Sequence, residues 1–144
     1  TPSFLVGGTL ILTGSLVRIY CYRVLGLMFT FELSIRRGHK LITSGPYSLV
    51  RHPSYTGGMA MALGIALCQL TRQSWLVNCS GLFPGSEPTL SVALVGTWVV
   101  CGSLIGSSLV ARMNREEAML AEKFGDEWKE WAKRVPYRLV PGLY

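Results

Sequence analysis

Two groups of ionisable side chains interrupt an otherwise apolar sequence, and the first lies between residues 38 and 55. It reads Gly-His-Lys-Leu-Ile-Thr-Ser-Gly-Pro-Tyr from Gly38, then Arg-His-Pro-Ser-Tyr from Arg51, and it holds both histidines of the chain, His39 and His52. Pro53 suits the first turn of a helix, whose free N–H groups favour an anionic ligand. The same residues are also compatible with a polar lid and a helix cap that have no chemical role.

The second group consists of Arg112, Arg115, Glu116 and Glu117, and it follows directly on a long uncharged stretch. Arg112 and Glu116 are four residues apart and therefore share one face of a helix. An exposed pair of this kind is worth only about 0.3–0.5 kcal/mol. Ionisable groups at the end of an apolar helix within a bundle are costly, however, and usually functional. A guanidinium in this position can hold a carboxylate through two parallel hydrogen bonds.

The composition favours a membrane protein over a soluble domain. Of the 144 residues, 49% are hydrophobic and only 15% are charged, against about 25% charged residues in an ordinary soluble domain. A chain of this size cannot bury so much apolar surface in a core of its own. The composition also excludes intrinsic disorder, and the length predicts a single domain, residues 1–144. The chain opens with Thr1 rather than Met, which leaves room for an upstream piece.

Three apolar stretches are long enough, or nearly long enough, to cross a bilayer as helices. They are Phe4–Tyr22, residues 54–70 and Leu90–Ala111, and the last contains no charged residue. Glycines at positions 57, 58 and 64 of the second stretch and 96, 102 and 106 of the third would let helix backbones approach closely. We therefore predict an all-α, integral membrane helical bundle with about three transmembrane helices, whose exposed small-residue faces leave room for oligomerisation.

The basic residues predict which side of the membrane each loop faces. Five of them lie from Arg23 to Arg51 and seven lie after the last span, whereas residues 71–89 contain only Arg72. The positive-inside rule places residues 23–53 and 112–144 in the cytosol and the N-terminus on the other side. The net charge of +6 is thus concentrated next to the membrane, which favours contact with anionic lipid over nucleic acid.

Two further segments are predicted to lie at the membrane surface. Residues 24–37 are apolar but end in two arginines, which is typical of an extension of the first helix or of an interfacial helix. Residues 116–135 place large apolar side chains, including Trp128 and Trp131, at spacings of three and four. This pattern predicts a cytosolic amphipathic C-terminal helix, with room for a break at Gly125, whose tryptophans lie among the lipid headgroups. The four cysteines form no C-x-x-C pair, so we expect small buried side chains rather than disulfides or a metal site.

The two polar groups, taken in this order, resemble the isoprenylcysteine carboxyl methyltransferase family. The likeness rests on the pattern G-P-Y-x-x-x-R-H-P-x-Y from Gly45 and the pattern R-x-x-x-E-E-x-x-L-x-x-x-F-G from Arg112. It covers roughly residues 39–142, with a cofactor-binding core of about 36–142. Each pattern is modest by itself, but the two are specific in this order with two apolar spans between them. A broader superfamily of phospholipid N-methyltransferases and sterol reductases shares them loosely, and fuller members of the resembled family carry more spans upstream.

The resemblance implies methyl transfer from S-adenosyl-L-methionine to the C-terminal carboxylate of a prenylated cysteine, which leaves S-adenosyl-L-homocysteine. The substrates would be C-terminally prenylated proteins or prenylcysteine small molecules, and the site would face the cytosol from the endoplasmic reticulum membrane. Arg112 corresponds to the family's substrate-contacting arginine. The positions that correspond to the family's cofactor contacts are His39, Lys40, Leu41, Ile42, Tyr47, His52, Pro53, Ser54, Tyr55 and Glu116.

A carboxylate nucleophile, with a pKa near 3.3–3.7, is already ionised at cytosolic pH and needs no general base. Three alternatives remain open. A phospholipid or amine N-methyltransferase needs a base, for which His52 and Glu117 are the candidates. A membrane reductase that uses NADPH needs a further basic cluster, and the sequence shows none in a suitable loop. A non-enzymatic membrane scaffold would use both polar groups as caps and lipid contacts, and it would bind no S-adenosylhomocysteine.

Overall fold

The computed structural model describes residues 1–26, 40–70 and 88–144, and within these ranges the chain is helical with no strand. Helix α1 spans Pro2–Leu25, α2 spans Pro53–Leu70, α3 spans Pro88–Phe124 and α4 spans Asp126–Arg134. A single 3-10 turn, Gly45–Ser48, precedes α2. The prediction of an all-α membrane fold is confirmed.

Helices α1 and α2 pack against each other in antiparallel directions, and glycine makes this contact possible. A Cβ atom built on Gly14 would lie 2.5 Å from the carbonyl oxygen of Gly57, and one built on Gly64 would lie 2.5 Å from that of Gly7. The two backbones therefore touch, as expected for small residues between membrane helices. The prediction for glycines 57 and 64 is confirmed. It is not borne out for glycines 96, 102 and 106 of α3, since no described residue lies within 4 Å of a Cβ atom at any of them.

Helix α3 is one continuous helix of 37 residues, about 55 Å long. The predicted amphipathic helix over residues 116–135 is therefore wrong in its first part, because residues 116–124 extend the apolar helix instead of starting a new one. No glycine or proline interrupts residues 107–124, and Ala, Met, Leu, Glu and Lys in this region all favour helix. The helix ends at Gly125, whose φ of +52° favours glycine. Helix α4 follows directly and is amphipathic.

Within the described ranges, two helices are long and apolar enough to cross a membrane, namely Pro2–Leu25 and Val95–Phe124 within α3. Both carry many exposed aliphatic side chains along their length, which suits contact with lipid. Helix α2, the second of the three predicted spans, has only 18 residues and a polar first turn. Its crossing of the bilayer, and the orientation of all three helices, stay predictions.

A small core forms where the last turns of α1, the 3-10 turn before α2, and α4 meet. Cys21, Tyr47, Trp131 and Val135 are buried together, and the indole Nε1–H of Trp131 donates to the backbone carbonyl of Tyr47 at 3.2 Å. The prediction that both tryptophans lie among lipid headgroups is therefore wrong for Trp131, which belongs to the protein interior.

The cysteines differ in how deeply they are buried. Cys21 is buried, but Cys68 is only partly buried and Cys101 is exposed on α3. Cys79 lies outside the described residues. The interpretation of the cysteines as small buried side chains therefore holds for Cys21 and is wrong for Cys101, because α3 has few protein neighbours there.

Candidate active site

The C-terminal tail, residues 135–144, folds back onto the turn that precedes α2. The backbone N–H of Arg51 donates to the carbonyl of Tyr137 at 2.9 Å, and that of His52 donates to the carbonyl of Arg138 at 2.8 Å. The hydroxyl of Thr56 donates to the carbonyl of Leu139 at 2.6 Å. The N–H groups of Arg51 and His52, which precede the first turn of α2, thus have backbone partners in the tail.

His52 lies between the two adjacent glutamates of α3. Its Nε2 is 3.2 Å from Oε1 of Glu117, and its Nδ1 is 3.5 Å from Oε2 of Glu116. Neighbouring positions on a helix point about 100° apart, so two successive carboxylates can face opposite edges of one imidazole ring. A ring that meets a carboxylate at each nitrogen is most stable as the imidazolium, which donates from both nitrogens.

The charged side chains around His52 form one ionic cluster, which consists of Arg51, His52, Arg112, Glu116, Glu117 and Arg138. Glu117 is the inner carboxylate of this cluster. Its side chain is only 8% exposed, and its Oε2 accepts a hydrogen bond from Nη2 of Arg138 at 2.6 Å. Nε of Arg51 lies 3.3 Å from its Oε1, but the N–H of that atom has no hydrogen-bond partner in the part of the chain that the structure describes, so its contact with Glu117 is an attraction of charges. Three cationic groups therefore surround one buried carboxylate, which is the condition under which a buried charge is tolerated.

Glu116 is the outer carboxylate, and its side chain is 24% exposed. Its Oε1 accepts a hydrogen bond from the hydroxyl of Tyr55 at 2.6 Å and another from Nε of Arg112 at 3.2 Å. The Tyr55 ring stacks on His52, with 5.5 Å between ring centroids. Arg112 is 40% exposed, more than Arg51 at 12% or Arg138 at 27%. Arg112 is therefore the most accessible arginine of the cluster.

The surroundings of His52 shift its pKa upward. Burial of the ring opposes protonation, but hydrogen bonds to Glu116 and Glu117, together with their charges, outweigh burial and raise the pKa of His52 above its ordinary value of 6.5. The imidazolium therefore persists to a higher pH than in an unperturbed histidine. In the tail, the hydrogen bond to Tyr144 and the ion pair with Glu117 raise the pKa of Arg138, against a smaller effect of burial.

The structure brings four of the predicted site residues into direct contact, namely His52, Tyr55, Arg112 and Glu116. Pro53 is buried as the first residue of α2, and the carbonyl of Ser54 accepts a hydrogen bond from Arg18 of α1 at 3.2 Å. The remaining predicted positions are further from the glutamates. Tyr47 is buried in the core, Leu41 and Ile42 pack against that core, Lys40 is exposed at the start of a described range, and His39 lies outside the described residues.

Sequence reasoning assigned no cofactor or substrate contact to three members of the cluster. Arg51 and Glu117 lie within the two polar groups, with Glu117 named as a candidate base for an amine substrate, whereas Arg138 lies outside both groups. The adjacent glutamates and the R-H-P string indicated two of these positions. Nothing in the spacing indicated Arg138, because it reaches Glu117 only when the tail folds back over α2.

The helices and the cluster together define a class: a helical membrane protein with a densely paired ionic site at one end of its spans. The chain belongs to the phospholipid methyltransferase family, whose model matches residues 2–83. This match includes the first polar group and ends before the second, which begins at Arg112.

Individual relatives extend the likeness to the second group. The chain is 29% identical over 134 residues to protein-S-isoprenylcysteine O-methyltransferase B of Arabidopsis thaliana, an alignment that covers 90% of this chain and 55% of the relative. It is 34% identical over 107 residues to a Delta(14)-sterol reductase of Mus musculus, covering 74% of this chain and 20% of the relative. The chain therefore spans between about a fifth and about half of the length of these relatives. No solved structure matches the chain.

Proposed function

We propose that this protein transfers a methyl group from S-adenosylmethionine to the carboxylate of a prenylated cysteine at the cytosolic face of the endoplasmic reticulum membrane. The proposal is supported by membership of the phospholipid methyltransferase family and by the relative whose name states this reaction. The geometry of the ionic cluster supports the carboxylate as nucleophile.

The observation that carries the proposal is that neither candidate base of the cluster, His52 or Glu117, is available to accept a proton. His52 faces a carboxylate at each ring nitrogen, so it holds its protons instead of accepting another. Glu117 is buried among three cationic groups, which stabilise its ionised form. An amine must lose a proton before it can attack a methyl group, whereas a carboxylate is already ionised near pH 7. The cluster therefore suits an acid as substrate.

The residues on the outer side of the cluster fit the polar part of S-adenosylmethionine, which when bound supplies an electrophilic methyl group. Glu116 presents a partly exposed carboxylate, which suits an ammonium or hydroxyl group of such a cofactor. The Tyr55 ring, stacked on His52, offers a flat surface beside that carboxylate. The hydrogen bond from Tyr55 and the contact with His52 hold the Glu116 side chain in place.

Arg112 is the residue placed to orient the substrate. It lies on the same helix as Glu116, one turn nearer the apolar segment, and it is the most exposed arginine of the cluster. A guanidinium can hold a carboxylate with two hydrogen bonds and so fix the direction of attack. The apolar surface of α3 begins immediately before Arg112, so a prenyl chain could remain in lipid, where each buried CH₂ contributes about 0.8 kcal/mol. We place the entrance of that chain between α2 and α3.

A membrane reductase is the second candidate, because sterol reductases are among the relatives with significant similarity. Against it, the alignment reaches 55% of the methyltransferase relative but only 20% of the reductase. The two candidates differ in the ligand that they bind, which makes them separable by titration.

Isothermal titration of the purified protein with S-adenosylhomocysteine and, separately, with NADPH tests the proposal. We expect saturable binding of S-adenosylhomocysteine and no binding of NADPH. Glu116→Gln should weaken the binding of S-adenosylhomocysteine, whereas Glu122→Gln, an exposed change on the same helix, should leave it unaltered. Binding of NADPH alone would favour the reductase, and binding of neither would favour a scaffold. Transfer of labelled methyl groups to a farnesylcysteine analogue, and not to phosphatidylethanolamine, would then identify the substrate as an acid.

A further inference from the structure

Glu117 joins three parts of the chain that are distant in sequence. It lies on α3, it contacts Arg51 and His52 of the turn before α2, and it accepts a hydrogen bond from Arg138 of the tail. Both of its carboxylate oxygens are used in these contacts, and only 8% of the side chain is exposed. A group so enclosed does not reach a ligand, in contrast to its neighbour Glu116.

Arg138 attaches the tail to the site at two points. Its backbone carbonyl accepts the N–H of His52 at 2.8 Å, while its guanidinium binds Glu117 at 2.6 Å and Asn114 at 3.1 Å. The same residue therefore fixes the backbone of His52 and the carboxylate that faces the ring of His52.

The position of the His52 ring follows from this arrangement. With Nε2 held by Glu117, the opposite edge of the ring, Nδ1, faces Glu116. The imidazolium then adds a positive charge behind Glu116, the carboxylate that the proposed function assigns to the cofactor. The charged and titratable groups around the ring are Glu116 and Glu117 of α3, Tyr55 of α2, Arg51 of the turn, Arg138 of the tail, and Arg112 beyond Glu116.

We propose that Glu117 is a positioning residue of this site, which keeps His52 protonated and oriented toward Glu116 and couples that orientation to the docked tail. The expected effect of Glu117 on methyl transfer rests on the proposed function, but its expected effect on the protonation and orientation of His52 does not. If Glu117 loses its charge, the arginines remain beside the ring and repel a proton on it, so His52 becomes neutral and is no longer held at Nε2.

Proton titration by NMR of the full chain with labelled histidine tests this directly, because the chain has only two histidines. His39→Gln assigns the signals. In Glu117→Gln we expect the midpoint of His52 to fall by about one pH unit or more, the usual effect of losing an opposite charge at this distance. Glu122→Gln, an exposed control on the same helix, leaves the midpoint unchanged. An unchanged midpoint in Glu117→Gln would overturn the proposal whether or not the protein binds a cofactor.

The binding assay adds a second readout that a purely structural role would not produce. Titration with S-adenosylhomocysteine should show a deficit for Glu117→Gln of roughly tenfold at a pH between the two His52 midpoints measured by NMR, and this deficit should largely disappear below the lower midpoint, where His52 is protonated in both proteins. A deficit of equal size at every pH would contradict a role through His52. If the unmodified protein binds no S-adenosylhomocysteine, the proposed function fails, while the NMR result still decides the role of Glu117. Should Glu117→Gln not fold, Glu117→Asp keeps the charge but shortens the reach, and it is expected to lower the midpoint by a smaller amount.

Discussion

Replacing Arg112 by alanine is the sharpest perturbation of the proposed reaction, because the fold depends little on this side chain. Arg112 is 40% exposed and pairs with Glu116 one turn away on the same helix. A pair of this kind stabilises the fold by about 0.3–0.5 kcal/mol. After the change, Glu116 keeps the hydrogen bond from Tyr55 and the contact with His52, so no buried carboxylate loses all its partners. We therefore expect an almost unchanged unfolding transition.

The effect on methyl transfer should be much larger than the effect on the fold. A hydrogen bond to a charged group contributes about 1.5–3 kcal/mol, and each 1.4 kcal/mol corresponds to a factor of ten. Loss of the contact with the substrate carboxylate therefore lowers kcat/KM by about 10- to 150-fold. Arg112→Lys should recover only part of this loss, because an ammonium group cannot form two parallel hydrogen bonds.

The assay measures transfer of labelled methyl groups to a farnesylcysteine analogue in liposomes, with S-adenosylhomocysteine titrated in parallel. Arg115→Ala is the matched control, since Arg115 is exposed on the same helix and has no contact with the cluster among the described residues. Full activity of Arg112→Ala would refute the assigned role. A loss of S-adenosylhomocysteine affinity as large as the loss of transfer would instead assign Arg112 to the cofactor.

Three further predictions concern packing and protonation. Gly14→Ala should disrupt the contact of α1 with α2, because the new Cβ would lie 2.5 Å from a backbone oxygen. Its unfolding temperature in detergent should be well below that of Gly96→Ala, whose Cβ meets no described residue within 4 Å. Trp131→Phe leaves a buried backbone carbonyl without its donor, at a cost of about 1–3 kcal/mol in the free energy of unfolding. Trp128→Phe is its control, since the Trp128 indole nitrogen has no hydrogen-bond partner within the described part of the chain. The raised pKa of His52 means that its stabilising effect is fully present below about pH 6.5 and is lost as the pH rises through the folded-state value. The difference in unfolding free energy between the unmodified protein and His52→Gln should therefore shrink as the pH is raised, and a difference that grows with pH would contradict the contacts described for the ring.

The sequence was sufficient to predict the helices and the region of the site. Apolar length predicted α1, α2 and the apolar part of α3, because a bilayer core imposes a minimum length on any helix that crosses it. Pro53 marked the start of α2, and the spacing of Arg112 and Glu116 predicted their contact, since residues four apart on a helix are neighbours. The glycines of α2 were correctly expected to allow close packing, but their partners on α1 were not identified.

Only the tertiary structure decided how the charges are paired. Local spacing does not indicate that the tail returns to the turn before α2, so Arg138 was not recognised. For the same reason Glu117 remained a candidate base for an amine substrate, whereas the structure buries it among cations. The same limit explains Trp131, whose amphipathic spacing suits a membrane surface as well as a protein core. A periodic pattern determines which face of a helix is apolar, but the contacts of that face depend on segments far away in the chain. At Trp131 the neighbour is Tyr47, and at Glu117 it is the tail.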